Sequence, residues 1–216
     1  ELGKFAIRSG PFFAASDFIE ATISGKGGHA AKPQETIDPT VIASQIVVAL
    51  QTIASRRADP VKQVVVSITS FETSSNAFNV IPQEVKIKGT VRTLDPDVRD
   101  LAEKEFLRIT ELTAEALGGS ADAKFTRGYP VMSNTSEQTE FAAKVARDVA
   151  GECAEAPLVM GGEDFAYMLE ERPGAYILLG NGDSSPVHHP EYNFNDDAIP
   201  FGCSWLVELV EQKMPV

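Results

Sequence analysis

The sequence predicts an α/β protein that contains an inserted, complete α+β domain, because two parts of the chain have different patterns. Between about residues 17 and 128 the predicted elements follow the order β-α-β-β-α-β. That order is typical of a ferredoxin-like domain, a four-stranded antiparallel sheet with two helices on one face. After Tyr129-Pro130, short apolar strands alternate with helices, which indicates parallel strands. Two such strands are too few for an independent sheet, so we interpret this part as an incomplete second domain.

The strands of the inserted domain are predicted where apolar and polar residues alternate or where β-branched residues cluster. Ile19, Ala21 and Ile23 alternate with polar neighbours. The clearest alternation runs over residues 84–92, with a β-branched run at 63–71 and a weaker strand at 121–127.

Two helices of this domain begin at an aspartate followed by proline, a capping residue followed by the residue favoured at the first helical position. After Asp38-Pro39 the expected apolar face consists of Ile42, Ile46, Ala49, Leu50 and Ile53. After Asp95-Pro96 it consists of Leu101, Ile109, Leu112 and Ala116, and Gly118-Gly119 ends the helix.

The flanking segments predict the remaining domain. The first dozen residues, with Phe5 and Ile7, could add a strand to it. Further elements are predicted as a helix at 137–150, a strand at 157–160, a helix from about 163, a strand at 175–179 and a final helix from about 200. The predicted division is 1–14 and 130–216 for the incomplete domain and 15–129 for the inserted one.

Composition excludes several classes of partner. The 216 residues carry 19 Lys plus Arg against 31 Asp plus Glu, a net charge of −12, which argues against nucleic acid or anionic lipid as a main partner. No apolar stretch reaches the ~18–20 residues that a membrane helix needs. Cys153 and Cys203 show neither a CxxC motif nor a disulfide framework, which fits a reducing compartment and predicts a cytoplasmic protein.

The three histidines of the chain all lie in segments that resemble loops. His29 follows glycines that permit a tight turn and close approach to a ligand, although an ordinary turn histidine is the alternative. His188 and His189 are adjacent, so on an extended chain their side chains point in opposite directions and at most one suits a given metal site. A surface loop is the alternative there.

Three further polar residues are candidates with ordinary alternatives. Asn79 precedes a predicted strand and could be only a turn residue. Arg92 falls on the polar face of its strand, which is also consistent with a solvated stripe. Glu163, after two glycines, could be simply an acidic residue at a helix start, which the helix dipole favours.

The order of these segments, rather than any one of them, is informative. Over essentially the whole chain it resembles the M20 metallopeptidases, and most closely their amidohydrolase branch, which includes hippurate hydrolases and hydrolases of N-acyl- and indoleacetyl-amino acids. The segments that carry the resemblance are GKGGHAA (25–31), DPTVIASQIVVALQTIASRRADP (38–60), NVIP (79–82), GTVRT (89–93), GGEDF (161–165) and HHPEYNFND (188–196). The resemblance implies a zinc-exopeptidase-type catalytic domain into which a ferredoxin-like lid or dimerisation domain is inserted.

The resemblance also implies a mechanism and a metal ligand. In that family two divalent metals bridge a water molecule that attacks an amide carbonyl, through Lewis-acid polarisation and a lowered pKa of the water. His188 matches the family's C-terminal metal ligand, and His189 then occupies a variable position. The metal could be Zn²⁺, Mn²⁺, Co²⁺ or Ni²⁺.

The other candidates match positions of the lid and the cleft. His29 matches a lid histidine that reaches the active site of the partner subunit in dimeric members and hydrogen-bonds the developing oxyanion. Asn79 and Arg92 match lid residues that contact substrate, with Arg92 suited to a bidentate grip on a carboxylate. Glu163 matches the segment bordering the cleft and takes a supporting or substrate-side role.

The family's remaining metal ligands and its general-base glutamate do not occur in this sequence. They lie in an HxCGHD-like segment, in a segment with two adjacent glutamates, and at a further histidine. A catalytic zinc site needs at least three protein ligands, and this chain offers one. We therefore expect a C-terminal portion of an enzyme that is inactive alone and cannot form the complete metal site. The resemblance also implies that the parent enzyme is a homodimer that associates through the lid. A noncatalytic dimerisation or small-molecule-binding module is the alternative, since this fold serves many functions.

Overall fold

The computed structural model describes residues 1–214, which form two compact units. The larger unit contains Phe13–Val131 and Met160–Glu163, and the smaller one contains Glu1–Phe12, Met132–Val159 and the residues from Asp164 onward. The strands are β1 (Phe5–Ile7), β2 (Gly10–Phe13), β3 (Ala15–Ser24), β4 (Gly28–His29), β5 (Val64–Thr73), β6 (Val80–Ile81), β7 (Glu84–Thr93), β8 (Ser120–Thr126), β9 (Met132–Asn134), β10 (Cys153–Glu155) and β11 (Leu178–Leu179). The α-helices are α1 (Pro39–Leu50), α2 (Pro96–Ala116), α3 (Ser136–Ala150), α4 (Phe165–Glu171) and α5 (Ile199–Lys213).

The larger unit is built on a four-stranded sheet in the order β5-β7-β3-β8, with every neighbouring pair antiparallel. The central pair, β3 and β7, stays in register over ten residues from Ala15 opposite Thr93 to Ser24 opposite Glu84. All four predicted strands are confirmed, three of them within two residues at each end, while β3 begins four residues before Ile19, at Ala15. Gly89 lies opposite a register shift in β5, where a Cβ atom would fall 2.1 Å from the carbonyl oxygen of Ser67.

One face of this sheet is covered by α1 and α2. Inward side chains of β3 and β7, such as Ile23 and Val85, are fully buried in one cluster with Ile46 of α1 and Phe106 of α2. Burying each such side chain stabilises the fold by about 1.5–3 kcal/mol. The cluster therefore fixes which face of the sheet carries the helices.

The two aspartate-proline helix starts are confirmed. The Asp38 side chain accepts a hydrogen bond from the Thr40 amide at 2.8 Å, and Asp95 accepts from the amides of Asp97 at 2.9 Å and Val98 at 3.1 Å. A hydrogen bond from the Lys62 ammonium also holds the pKa of the Asp95 carboxyl below its usual value.

The apolar face predicted for α1 is confirmed at Ile42, Ile46 and Leu50, while Ala49 is partly buried and Ile53 is buried in the helical turn that follows α1. The face predicted for α2 is wrong at three of four positions. Ile109 is buried, whereas Leu112 and Ala116 are exposed and Leu101 is only partly buried. The helix faces the sheet along a different stripe from the predicted one, turned by about one residue around the helix. That stripe consists of Val98, Ala102, Phe106 and Ile109. The prediction followed the leucines, whereas Phe106 and the small Ala102 fit the space against the sheet.

A charged residue, Glu105, also lies on the inner side of α2. Its carboxylate accepts hydrogen bonds from Arg108 at 2.7 Å and Arg57 at 3.0 Å. These partners, Arg108 foremost, hold the pKa of Glu105 below its usual value despite burial. The ion pairs thus satisfy a carboxylate that would otherwise be costly to bury.

The smaller unit contains a three-stranded sheet in the order β10-β1-β11 and a ribbon of β2 with β9. The predicted N-terminal strand is confirmed as β1. β10 runs parallel to it, with Phe5 opposite Cys153, whereas β11 runs antiparallel, with Phe5 opposite Leu179. The expectation of parallel strands is therefore confirmed for β10 and wrong for β11.

The predicted strand at 157–160 is reduced to a bridge at Val159, whose amide donates to the Phe12 carbonyl at 2.9 Å, and the strand that pairs with β1 is Cys153–Glu155. Pairing with β1 decides the position, and those three residues carry little hydrophobic signal. Helices α3 and α5 are confirmed and contact each other through Trp205, whose indole N–H donates to the Ala142 carbonyl at 3.1 Å. Within residues 1–214 no helix is long and apolar enough to span a membrane.

Candidate functional site

His29 and Asn79 lie together at the end of a small ribbon in the larger unit. Strands β4 and β6 pair antiparallel, with His29 opposite Val80, and the Ala30 amide donates to the Asn79 carbonyl at 3.0 Å. A Cβ atom on Gly27 would lie 2.8 Å from the Ile81 carbonyl oxygen, so this close pairing requires a glycine. The structure thus brings together two segments fifty residues apart in sequence, and both residues are exposed.

The His29 ring is oriented by its own turn. Its Nδ1 accepts a hydrogen bond from the Ala31 amide at 3.1 Å. A neutral imidazole whose Nδ1 accepts must carry its proton on Nε2. The exposed His29 therefore presents an Nε2–H donor, the form needed to stabilise an oxygen that becomes negatively charged.

Arg92 lies near the end of β7, directly opposite Ser16 of β3 and on the sheet face away from the helices. Lys86 and Lys88 of the same strand are exposed on that face, but Arg92 is partly buried. Among residues 1–214, its Nη1 atom is buried and has no hydrogen-bond partner. Leaving a buried donor unsatisfied costs about 1–3 kcal/mol, more for a charged group, so a partner for this atom is expected from outside the described residues.

Gly162 of the GGEDF segment lies against Arg92. A Cβ atom on Gly162 would fall 2.7 Å from the Ser16 Cβ, 3.2 Å from the Tyr129 ring and 3.4 Å from Nη1 of Arg92. Only glycine permits this approach without displacing its neighbours. The Ala14 amide also donates to the Gly161 carbonyl at 3.0 Å. Glu163 thus follows the residue that borders Arg92, whereas His29 and Asn79 lie beyond the other end of the β3–β7 pairing.

Sequence reasoning missed a buried ion pair beneath this region. The Arg99 guanidinium donates from Nε to Oδ2 of Asp17 at 2.9 Å and from Nη2 to Oδ1 at 2.6 Å. Asp17 is fully buried and Arg99 is 9 % exposed. A signal was present, because Asp17 shares the parity of Ile19 and Ala21 and so had to lie on the buried face of β3.

The two adjacent histidines lie in the smaller unit and differ in environment. His188 has a φ of 69°, the one positive value at a non-glycine residue in the described chain. This left-handed conformation is uncommon outside glycine and often marks a functional site. The ring of His189, by contrast, accepts a hydrogen bond at Nδ1 from the Glu191 amide at 3.1 Å, which engages it within the loop. The backbone thus distinguishes His188 from its neighbour.

The described residues do not form a metal centre by themselves. Within residues 1–214 no group of three or more His, Cys, Asp or Glu side chains is arranged to hold a metal ion. A catalytic zinc site needs at least three protein ligands. His188 could supply one ligand, and no reaction step through a metal follows from these residues.

Comparison with known proteins decides the family. Residues 19–212 match the sequence profile of Peptidase family M20/M25/M40. The chain belongs to this family. The resemblance seen in the sequence is thereby confirmed, and the M20 assignment covers both units.

Relatives of this M20 chain include amidohydrolases. An IAA-amino acid hydrolase ILR1-like 2 of Arabidopsis thaliana is 40% identical over 225 residues, covering 98% of this chain and 51% of the relative. A hippurate hydrolase of Campylobacter jejuni is 36% identical over 212 residues, covering 95% of this chain and 54% of the relative. The chain thus spans about half the length of the curated relatives that it matches.

The fold also matches a solved M20 structure. A dinuclear metal-binding peptidase from Bacillus subtilis has a TM-score of 0.81 and 28% sequence identity, covering 99% of this chain and 54% of that one. The mixed α/β architecture described above is therefore that of M20 peptidases.

The different environments of two arginines of the M20 chain lead to a stability prediction. Arg92→Met removes a buried donor that has no partner within residues 1–214, so we expect the free energy of unfolding to stay unchanged or rise by up to about 1 kcal/mol. Arg99→Met, the matched control, leaves Asp17 buried without its cation and should cost about 3–5 kcal/mol. Urea denaturation of both variants measures the difference. Equal destabilisation by the two substitutions would contradict a ligand-binding role for Arg92.

Proposed function

We propose that the protein containing this chain is a metal-dependent amidohydrolase that cleaves the amide bond of N-acyl-amino acids, hippurate-like compounds or small peptides. The observation that carries the proposal is the buried Nη1 of Arg92, which lacks a partner within residues 1–214 and lies against the GGEDF segment. Relatives named as hydrolases of hippurate and of IAA-amino acids support the same substrate class.

Arg92 recognises the free carboxylate of the substrate. A guanidinium group presents parallel N–H donors that fit a carboxylate in a bidentate, charge-assisted pair. Its partial burial lowers the competing effect of water, and the neighbouring glycine brings no side chain against Nη1. The substrate carboxylate then supplies a hydrogen-bond acceptor for Nη1 of Arg92, which folding has removed from water.

Glu163 completes the Arg92 end of the site, whereas His29 and Asn79, which lie beyond the other end of the β3–β7 pairing, act on the substrate held by a partner subunit. His29 donates from Nε2 to the carbonyl oxygen of the scissile amide and stabilises it as negative charge develops. Asn79, at the end of the same ribbon, contacts the substrate. Glu163, next to Gly162, supports the Arg92 end of the site. These residues bind, orient and donate, and none of them is assigned the task of activating water.

Residues 15–129 form a ferredoxin-like lid, and residues 1–14 and 130–216 belong to a catalytic domain of the zinc-exopeptidase type. The antiparallel order β5-β7-β3-β8 with both helices on one face supports the first assignment. The half-length coverage of the relatives supports the second. Two copies associate through the lid, where exposed apolar side chains of α1 and α2, among them Val48 and Leu112, supply a surface for association.

Two divalent metal ions, Zn²⁺, Mn²⁺, Co²⁺ or Ni²⁺, serve the active site of the intact protein. The description of the similar Bacillus subtilis peptidase as dinuclear supports the number. His188 is the one ligand that we assign to this chain, and its strained backbone supports the choice over His189. The chain alone is therefore inactive. Because Cys153 and Cys203 form no disulfide framework, the intact protein is assigned to the cytoplasm.

A substrate pair that differs only in charge tests the function. We expect the intact protein to hydrolyse N-benzoylglycine with a kcat/KM roughly 10–100 times that for N-benzoylglycinamide, because a charge-assisted hydrogen bond contributes about 1.5–3 kcal/mol. Arg92→Ala should abolish this preference, and the 216-residue chain should show no turnover. Metal-bound intact protein that turns over no acyl-amino acid would instead favour a noncatalytic binding module.

The assignment of one histidine as the metal ligand predicts a contrast between neighbours. His188→Ala should weaken metal binding by the intact protein at least as much as the roughly 10–100-fold loss caused by changes in outer-shell residues. His189→Ala is the control and should retain metal, since its ring is engaged by the Glu191 amide. Metal content after dialysis, measured by mass spectrometry, checks both variants. Equal metal content in the two variants would refute the assignment.

His29→Ala should leave metal content and the unfolding temperature unchanged and lower kcat by about 10²–10³-fold, the usual loss for an oxyanion donor. Steady-state kinetics on N-benzoylglycine measures the change. If His29 acts in the active site of a partner subunit, mixing His29→Ala with His188→Ala protein should restore part of the activity through hybrid dimers. A loss of activity that merely follows loss of folded protein would support the turn alternative.

A further inference from the structure

We infer that the buried ion pair of Asp17 with Arg99 is a positioning device for Arg92, which sets the preference of the enzyme for substrates with a free carboxylate. The inference rests on the function proposed above and adds two residues to it. Neither residue touches the substrate, so both act through the backbone that surrounds Arg92.

The ion pair joins three segments of the larger unit. Nη2 of Arg99, in the first turns of α2, donates to the carbonyls of Gly128 at 3.1 Å and Tyr129 at 3.3 Å, in addition to the Asp17 carboxylate at the start of β3. The Gly128 amide donates to Oδ1 of Asp17 at 3.1 Å. A buried network in which the groups satisfy one another is rigid and sensitive to the loss of any member.

The same segments surround the Arg92 guanidinium. Ser16, the neighbour of Asp17, lies directly opposite Arg92, and its amide donates to the Tyr129 carbonyl at 2.9 Å. Gly162 packs against Ser16 and the Tyr129 ring. The residues that border Nη1 are therefore attached to backbone that the ion pair holds in place.

The ion pair cannot act on a ligand directly, because successive residues of a strand point to opposite faces. Asp17 lies on the helix-covered face with Ile19, while Ser16 and Arg92 lie on the other face. A change at Asp17 thus reaches Arg92 by moving the ends of β3 and β7 and the chain after β8. Displacement of a binding group by about 1 Å can cost up to a hundredfold in rate.

The test compares the preference for the carboxylate substrate in variants of the intact protein. Asp17→Asn and Arg99→Lys keep side-chain size but weaken the paired geometry, and kcat/KM is measured for N-benzoylglycine and N-benzoylglycinamide below the unfolding temperature of each variant. We expect Asp17→Asn to lower the ratio of the two values by roughly tenfold to a hundredfold, mainly through KM of the charged substrate. The value for the uncharged amide should change little.

A matched control separates positioning from stability. Glu105→Gln disrupts another buried ion-paired carboxylate, one whose partners are Arg57 and Arg108 and which has no contact with the segments around Arg92 among the hydrogen bonds of residues 1–214. It should lower the unfolding temperature but leave the substrate ratio at the wild-type value. The ratio does not depend on the folded fraction, because both substrates meet the same enzyme.

The substrate ratios distinguish the positioning role of the Asp17–Arg99 pair from the carboxylate-binding role of Arg92. A wild-type ratio in both Asp17→Asn and Arg99→Lys, with the ratio abolished in Arg92→Ala, would overturn the positioning role and leave the function standing. Equal kcat/KM values for the two substrates in the wild type would overturn the carboxylate role of Arg92 itself. A wild-type ratio of these values in Arg92→Ala would overturn it as well. If Asp17→Asn does not accumulate as folded protein, Arg99→Lys, which keeps the cation, decides by the same ratio.

Discussion

The ten-residue antiparallel pairing of β3 with β7 is the constraint on which the rest of the larger unit depends. Because side chains alternate between faces, one register assigns every residue of both strands at once, and a slip of one position would reverse all of them. The apolar sets that include Ile23 and Val85 fix the register through their burial under the helices. Arg92 then has to lie on the opposite face, facing Ser16.

The two arginines near this end of the sheet differ in how the fold compensates their guanidinium groups. Arg99 is held by a carboxylate and two carbonyls, so its charge is compensated within the fold. Arg92 has a buried nitrogen without such compensation among residues 1–214. A fold under selection for stability alone would replace such a group, since unsatisfied buried donors are among the costliest features of a protein interior. The ligand proposed above would supply the missing acceptor.

Sequence patterns predicted the sheet of the larger unit well because alternation reports burial directly. They also located the helix starts, where aspartate caps and proline act locally. The face of α2 and the position of β10 were not predictable in this way, since packing around Phe106 and pairing with β1 decide them. Individual site residues were visible, but the approach of Gly162 to Arg92 joins segments seventy residues apart and is a tertiary contact without local signal.

The groups proposed for function in this chain are of one chemical kind. His29 and Arg92 present N–H donors, one oriented by the Ala31 amide and the other bordered by Gly162. Donors of this kind stabilise negative charge on a substrate carboxylate and on a developing oxyanion, but they do not remove a proton from water. A reaction that needs both kinds of group must therefore draw its base and most of its metal ligands from residues other than these. Recognition and charge stabilisation are in that sense separable from bond cleavage, and the buried network around Asp17 joins the backbone segments beside Arg92 within the larger unit itself.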